Sequence, residues 1–278
     1  MGVSQRERDV GELLISDGPV LLELDEAGVA RVRLNRPEAA NGMNVELLRA
    51  LHEAIMRCHG DPRVRVVVLS GAGKNFCAGG DVRAFASKGA ALPDYLREAT
   101  SWLQLATSAL VQLGPPVIAQ VQGFAAGGGG FGLVCAADLV VAAESARFFS
   151  GAVRVGMAPD AGTTVTLTQL VGLRQALRIL LTNPTLTAAE ARDLGVVTEV
   201  VPDGELGARV DALAAELAGC APRALAATKR LVWAGVGATL AERLPEEART
   251  VSELSGSADA REGLAAVLER RAPEFTGS

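Results

Sequence analysis

The spacing of apolar residues changes several times along the chain, and each change marks an element. The run VLLELDEAGVARVRLNRP holds two β-type stretches around Glu26-Ala27-Gly28, and in the second Ala30, Val32 and Leu34 alternate with Val29, Arg31 and Arg33. Alternation with period two is the pattern of a half-buried strand, so a hairpin is expected here. After Asn35-Arg36-Pro37 the period lengthens: Leu47, Leu48, Leu51 and Ile55 recur at helical spacing behind Asn44, a residue type that caps first-turn amides. Val64 to Leu69 reads as a strand, and Tyr95 to Leu113 as an amphipathic helix that Gly114-Pro115-Pro116 stops. Val117 to Val121 and Leu139 to Ala142 are short apolar runs of the buried-strand kind. Between them, Gly127 to Gly130 opens a helix that continues to Ala137.

Such alternation of strands and helices predicts an α/β fold with helices covering sheet layers. From Leu206 onward the chain is helix-forming without a convincing strand, so the expected division is a core over residues 1–205 and a helical C-terminal region over 206–278. A chain of 278 residues with 49% hydrophobic and 21% charged residues has the apolar content to bury a large core. The net charge of -5 argues against nucleic acid or an anionic membrane as partner, because both reward a basic excess. The opening MGVSQRERDVGELL has no apolar signal core and no later run suits a membrane helix, so a soluble cytoplasmic protein is expected. Cys58, Cys77, Cys135 and Cys220 lie far apart with no ligand spacing, which points to reduced thiols rather than a zinc site or a disulfide framework.

Two glycine-rich segments carry candidate chemistry. Gln122 to Gly132 places Gly127-Gly128-Gly129-Gly130 directly before a helix, where amides unshielded by side chains meet the positive end of the helix dipole. Gly71 to Asp81, GAGKNFCAGGD, likewise follows a strand and exposes amides around Ala78 to Gly80. Each loop alone has an ordinary reading as a tight turn, and the glycine run matches neither the dinucleotide nor the P-loop pattern.

Taken in order, the loop FCAGGD, the helix start GFAAGGGG and the acid-bearing turn PDAG resemble the crotonase, or enoyl-CoA hydratase/isomerase, family. LNRPEAAN before them, and LTNPTLTAAEARDLGVVTEVVP and SADAREGLAAVLERRAPEF after them, extend the resemblance over nearly the whole chain. It implies a spiral of ββα units whose C-terminal helices assemble trimers, or hexamers made of them. It also implies an acyl-CoA small-molecule substrate with no cofactor beyond that coenzyme A. The thioester oxygen would sit between the amide of Gly80 and that of Gly129 or Gly128, the choice depending on where one extra residue between Gly123 and Asp138 is placed. Two fixed donors aimed at charge that develops only on enolisation favour the transition state over the ground state.

The family's hydratases use two glutamates, and at those positions this chain has Gly132 and Ala152. Asp138 matches a strand-leading aspartate of the family, and Glu144 lies in an AAESARF segment that looks solvent-facing, so neither replaces them. Asp160 remains. By resemblance to the family's isomerases it would act alone, removing a proton beside the thioester and returning it two carbons away. Val153, Val155 and Met157 would supply an aliphatic surround that raises its pKa. The competing role for Asp160 is as an N-cap of the apolar helix that follows. The chlorobenzoyl-CoA dehalogenase is also similar, but its histidine and tryptophan fall at Gln104 and Ala152. For the coenzyme, the resemblance points to the Arg36–Ala39 turn, to the Ala78 backbone and to Arg270 on a CoA phosphate; a solvated surface charge is the other reading of each arginine. His52 and His59 read as fillers beside the first helix, and Phe85, Trp102, Phe131 and Phe149 as candidate pocket aromatics. The expected function is double-bond isomerisation of an enoyl-CoA. The alternatives are hydration, thioester hydrolysis, dehalogenation, or binding of a CoA thioester without catalysis.

Overall fold

The computed structural model describes residues 11–278, so residues 1–10, which make up most of the polar opening run, lie outside the described residues. Seven strands form the main sheet: β1 (Glu12–Ile15), β2 (Val20–Leu24), β3 (Val29–Leu34), β4 (Val66–Gly71), β5 (Val117–Val121), β7 (Leu139–Ala143) and β10 (Glu199–Val201), side by side in that order. A small second sheet joins β6 (Phe124–Ala126), β8 (Arg147–Phe149) and β9 (Leu186–Thr187). The expected hairpin is β2–β3, in register from Val20 opposite Leu34 to Leu24 opposite Ala30. The carboxylate of Asp25 closes its turn by accepting from the Val29 amide at 2.9 Å. From β3 to β10 the neighbours run parallel, which obliges each crossover to pass over a face of the sheet.

The crossovers are helical. They include α1 (Val45–Gly60), the short α2 (Val82–Ala86), α3 (Leu92–Gln112), α4 (Leu133–Ala136), α5 (Thr163–Thr182) and α6 (Ala188–Asp193). Asn44 caps α1, its side chain accepting from the Leu47 amide at 2.9 Å. Side chains alternate between two cores, as period two requires. Val67 and Leu69 of β4, Ala119 and Val121 of β5, and Val140 and Ala142 of β7 face α1 and α3. Val66, Val68, Ile118, Val141 and Ala143 face the other way, onto Leu206, Val210, Ala214 and Ala218 of α7 (Leu206–Ala218). A parallel sheet covered on both faces explains why these strands read as continuous apolar runs.

Beyond α7 come α8 (Pro222–Gly235), α9 (Leu240–Ser255) and α10 (Ala258–Glu269). Among the described residues no helix is long and apolar enough to cross a membrane. One buried ion pair fastens α8 to the sheet. Asp138 stands between α4 and β7; its carboxylate accepts from the Val117 amide at 2.7 Å and the Trp233 indole at 2.9 Å, and lies 2.7 Å from the Lys229 ammonium. Lys229 also donates to the carbonyls of Leu110 and Pro115, both at 3.2 Å. Burial pulls its pKa down and Asp138 opposes that pull. Truncating Asp138 to alanine removes three partners at once and leaves a buried cation unpaired. The Asp138→Ala variant is expected to lose about 3–5 kcal/mol in urea unfolding, far more than the loss of an exposed pair such as Arg97–Asp94.

Candidate active site

Because β4 and β5 are parallel neighbours, the loops that follow them leave from the same edge of the sheet, where open α/β sheets bind ligands. The first loop is held from both sides. Toward the second loop, the Cys77 amide donates to the Phe124 carbonyl at 3.0 Å and the Ala126 amide to the Cys77 carbonyl at 2.9 Å. Toward the start of α1, Met43 donates to the Gly79 carbonyl at 2.8 Å and Asp81 to the Met43 carbonyl at 2.9 Å. Those two bonds belong to neighbours of Gly80, so its own N–H turns away from Met43 and has no partner among the described residues. Gly79 adopts φ of +96°, and a Cβ there would stand 2.9 Å from the Ala126 carbonyl oxygen, so only glycine fits.

The glycine run meets this loop backbone to backbone: a Cβ on Gly127 would stand 3.1 Å from the Gly79 Cα. Residues Gly128–Gly132 then form a π-helical turn that leads into α4. A π-turn holds one residue more than an α-turn, and such bulges occur often at functional sites. Such a turn has room for the extra residue expected between Gly123 and Asp138. Gly128 and Gly129 occupy the first positions of this turn, where amides have no earlier carbonyl to bond. Both glycines, with Gly80 and Asp160, line one cavity of about 700 Å³. Thus the two loops converge, and all four residues expected to be catalytic border the same space.

Asp160 resolves one of the alternatives posed by the sequence. The residue that caps α5 is Gly162, at φ of +72°, and no side chain caps the helix. Asp160 contributes only its main-chain carbonyl, which accepts from the Thr163 amide at 3.0 Å and hydroxyl at 2.7 Å. Its carboxylate is therefore free of capping, and it packs against the Gly128 Cα so closely that a Cβ on Gly128 would overlap it. Burial raises the pKa of Asp160, opposed only by its own backbone amide. Val155 and Met157 border the cavity as expected, whereas Val153 does not. The next residue, Ala161, sits at φ of +52°, a left-handed conformation that costs a non-glycine residue energy and is tolerated where geometry matters.

Asp160 is the single carboxylate among the described residues that line the cavity. At Gly132 a side chain has no room, because a Cβ would stand 2.7 Å from the Thr163 hydroxyl and 2.8 Å from the Ala161 methyl. Ala152 borders the cavity but brings only a methyl group. Of the aromatic candidates, Phe85 and Phe149 line the cavity. Trp102 instead stacks beside His52 and under Arg49, and Phe131 is fully buried in the core. The His59 Nε2–H donates to the Ala109 carbonyl, 3.1 Å away, and His52 lies against Trp102, so both histidines pack between α1 and α3. Gln104 lies outside this cavity. Cys58, Cys77 and Cys135 are buried free thiols pushed up to about 12 by burial, and Cys220 is a half-buried free thiol.

The coenzyme candidates separate. Ala78 is exposed at the cavity wall, next to the turn that ends at Ala39. Arg36 is not a solvated surface charge: it pairs with Asp81 at 3.1 Å, is 20% exposed, and also donates to the Gly42 carbonyl. Asp81 in turn caps α2 by accepting from the Ala84 amide at 3.0 Å. Arg270 is exposed at the end of α10 and does not line the cavity of this chain. The sequence reading missed Asn41, whose buried side chain donates to the carbonyls of Ala72, Asn75 and Phe76 and accepts from the Arg36 amide. It is the last residue of LNRPEAAN, but its partners lie more than thirty positions on, and no local pattern announces them.

Known proteins are similar to this chain in sequence and in fold. A sequence profile described as enoyl-CoA hydratase/isomerase matches residues 25–278. A Rhodobacter capsulatus protein named "Probable enoyl-CoA hydratase" is 40% identical over 90% of this chain and 95% of its own length. The 1,2-epoxyphenylacetyl-CoA isomerase of Escherichia coli K12 is 36% identical over 91% of this chain and 96% of its own. The crystal structure of an enoyl-CoA hydratase from Bacillus anthracis superposes with a TM-score of 0.89 at 30% identity, covering 94% of this chain and 100% of that one.

A half-buried carboxylate with a raised folded-state pKa has a defined effect on stability. The folded protein holds the Asp160 proton more tightly than the unfolded chain, so stability falls as pH rises through the interval from the unfolded to the folded pKa. Asp160→Asn removes that penalty. The variant is expected to melt above the wild type at neutral pH, with the gap closing as pH drops below the ordinary aspartate range near about 3.9, measured by thermal melts across pH.

Proposed function

Because the chain belongs to the enoyl-CoA hydratase/isomerase family, with its α/β crotonase fold, we propose that it shifts a carbon–carbon double bond in an acyl-CoA thioester with Asp160 as the one acid and base. The observation that carries this reading is the lone carboxylate among the described residues of the cavity, set against Gly128 in the space that Gly80 also lines. The thioester oxygen accepts from Gly80 and from the first-turn amides of Gly128 and Gly129, with Gly129 the favoured second donor. One such donor supplies about 3 kcal/mol of transition-state stabilisation. Asp160 takes the proton from the carbon beside the thioester, the electron pair spreads into a dienolate, and the same carboxyl returns a proton two carbons away. Only protons move, so the scheme calls for no cofactor beyond the coenzyme A of the substrate. The raised pKa makes Asp160 a stronger base than an exposed aspartate for the first half of the cycle. The isomerase name of the Escherichia coli relative is in keeping with this chemistry.

Water addition is the second reading, favoured by the hydratase names of the Rhodobacter capsulatus and Bacillus anthracis relatives. It requires a water held at the β carbon by something other than a pair of glutamates. For the coenzyme, the Ala39 turn and the Ala78 backbone at the cavity wall receive the adenine and pantetheine parts. Arg36 serves the site through Asp81, and Arg270 meets a CoA phosphate only from a neighbouring copy. Such a copy has surface to bind: Leu264, Val267 and Leu268 share one face of α10, and they and Leu173 and Leu181 of α5 are each at least 66% exposed, and exposed apolar faces of this kind mark interfaces. The proposed assembly is a homotrimer, or a hexamer made from two.

Two measurements test these proposals. With 3-enoyl-CoA and 2-enoyl-CoA esters of several lengths, including a phenyl-bearing one, double-bond migration is expected, and Asp160→Asn lowers kcat on the order of 10²–10⁴-fold while acyl-CoA still binds. Hydration that survives in the variant would reject the isomerase reading. Sedimentation equilibrium is expected to give a mass that is a multiple of three chains, and a monomer at micromolar concentration would reject the assembly.

A further inference from the structure

Asp160 borders a second cavity. A space of about 510 Å³ opens behind it, between the outward face of α3 and the start of α5, and shares only Asp160 and Thr100 with the acyl cavity. Thr100, Gln104, Thr107 and Ser108 line it from α3. Positions three and four apart on a helix share a face, so hydroxyl and amide groups form a row along the helix. Gln104 and Ser108 are exposed, whereas Thr107 and Thr166, on the facing wall, are buried. Both buried hydroxyls donate to carbonyls of their own turn, Thr107 to Leu103 at 2.9 Å and Thr166 to Gly162 at 3.2 Å. Their lone pairs are left to accept from whatever fills the space.

Val111, Val165 and Trp233 complete the wall, so the polar groups that could hold water are this row and Thr166, and Asp160 is the residue that the cavity shares with the reacting side. We infer that the cavity is a proton-exchange route through which Asp160 trades the proton it has taken from substrate for one from solvent before completing the reaction. The inference rests on Asp160 being the acid and base. As the C–H bond beside the thioester breaks, its electron pair enters the dienolate and the proton forms the O–H bond of Asp160. That O–H then exchanges its proton with a cavity water, which passes the original proton outward. The carboxyl group, now carrying a solvent proton, delivers it to the distal carbon and returns to its starting charge. A carboxylate reached only from the acyl cavity would be shielded by the substrate and would hand back the same proton. Access from behind separates the two events.

The experiment uses 3-enoyl-CoA deuterated at the carbon beside the thioester, turned over in ordinary water, with the deuterium at the distal carbon of the product read by mass spectrometry. Wild type is expected to deliver little of the label. The Gln104→Leu/Ser108→Leu double variant alters two exposed residues and makes the row apolar; it is expected to raise label transfer several-fold. Thr107→Val, nearly the same shape without the hydroxyl, is expected to raise it in the same direction. Label transfer that is already complete in wild type, or unchanged in both variants, overturns the route while leaving Asp160 as acid and base. Turnover that persists in Asp160→Asn overturns the assignment and the route together.

Discussion

Main-chain hydrogen bonds along both edges of residues 77–81 are the constraint from which the site follows. The segment is an interior strand in miniature, bonded on one edge to Phe124 and Ala126 and on the other to Ala40 and Met43. Any single bond contributes only about 0.5–1.5 kcal/mol net, so their importance is geometric. They turn the Gly80 amide toward the cavity before a ligand arrives, and a donor that needs no reorientation is the form of stabilisation most effective against developing charge. Asn41 holds the loop just before this segment by the carbonyls of Ala72, Asn75 and Phe76, and Arg36 ties Asp81 to the turn before α1. Parallel pairing of β4 and β5 brings the glycine run to the same edge. Remove the pairing and the donors would have no common target.

Two aspartates show how surroundings decide what a carboxylate does. Asp138 has an ammonium, an indole and an amide around it, so its charge is neutralised in place and its work is to bind α8 to the sheet. Asp160 is half-buried with no cation beside it, and burial therefore acts on its titration instead of being offset. Perturbed carboxyls of the second kind are associated with reaction sites. The left-handed Ala161 beside it is a further local cost. The two-sided core of the sheet bears such costs, since nearly every strand residue between α1, α3 and α7 is buried.

Much of this fold is legible in the sequence because its signals are local. The β2–β3 hairpin, α1 behind its Asn44 cap, β5 and the long α3 all lie within a few residues of their expected bounds. β1, β6, β8 and β9 are two to four residues long, too short for a period to register, and they escaped notice. Within the site, the glycines and Asp160 stood out by residue type and order. Partnerships across distance did not: the grip of Asn41 on the Phe76 loop, the turn of Arg36 toward Asp81, and the burial of Phe131 all depend on which segments the sheet brings together. Trp102 was misread for the same reason, since α3 presents one face to the cavity and another to α1, and composition does not say which residues take which.

The π-helical turn at Gly128–Gly132 has an evolutionary consequence. Changing one residue for another alters a single side chain, whereas adding one residue to a helix rotates every side chain that follows by about 100°. The π-helical turn takes up a residue more than an α-turn would without passing that rotation on, and Gly132 at its end stands against Ala161 and Thr163, with space for hydrogen alone. A glutamate at that position would need a substitution and a retreat of the neighbouring segment together. Single substitutions at Gly132 are thus closed off by geometry, and those that can change the chemistry of this chain are left to the walls of the acyl cavity.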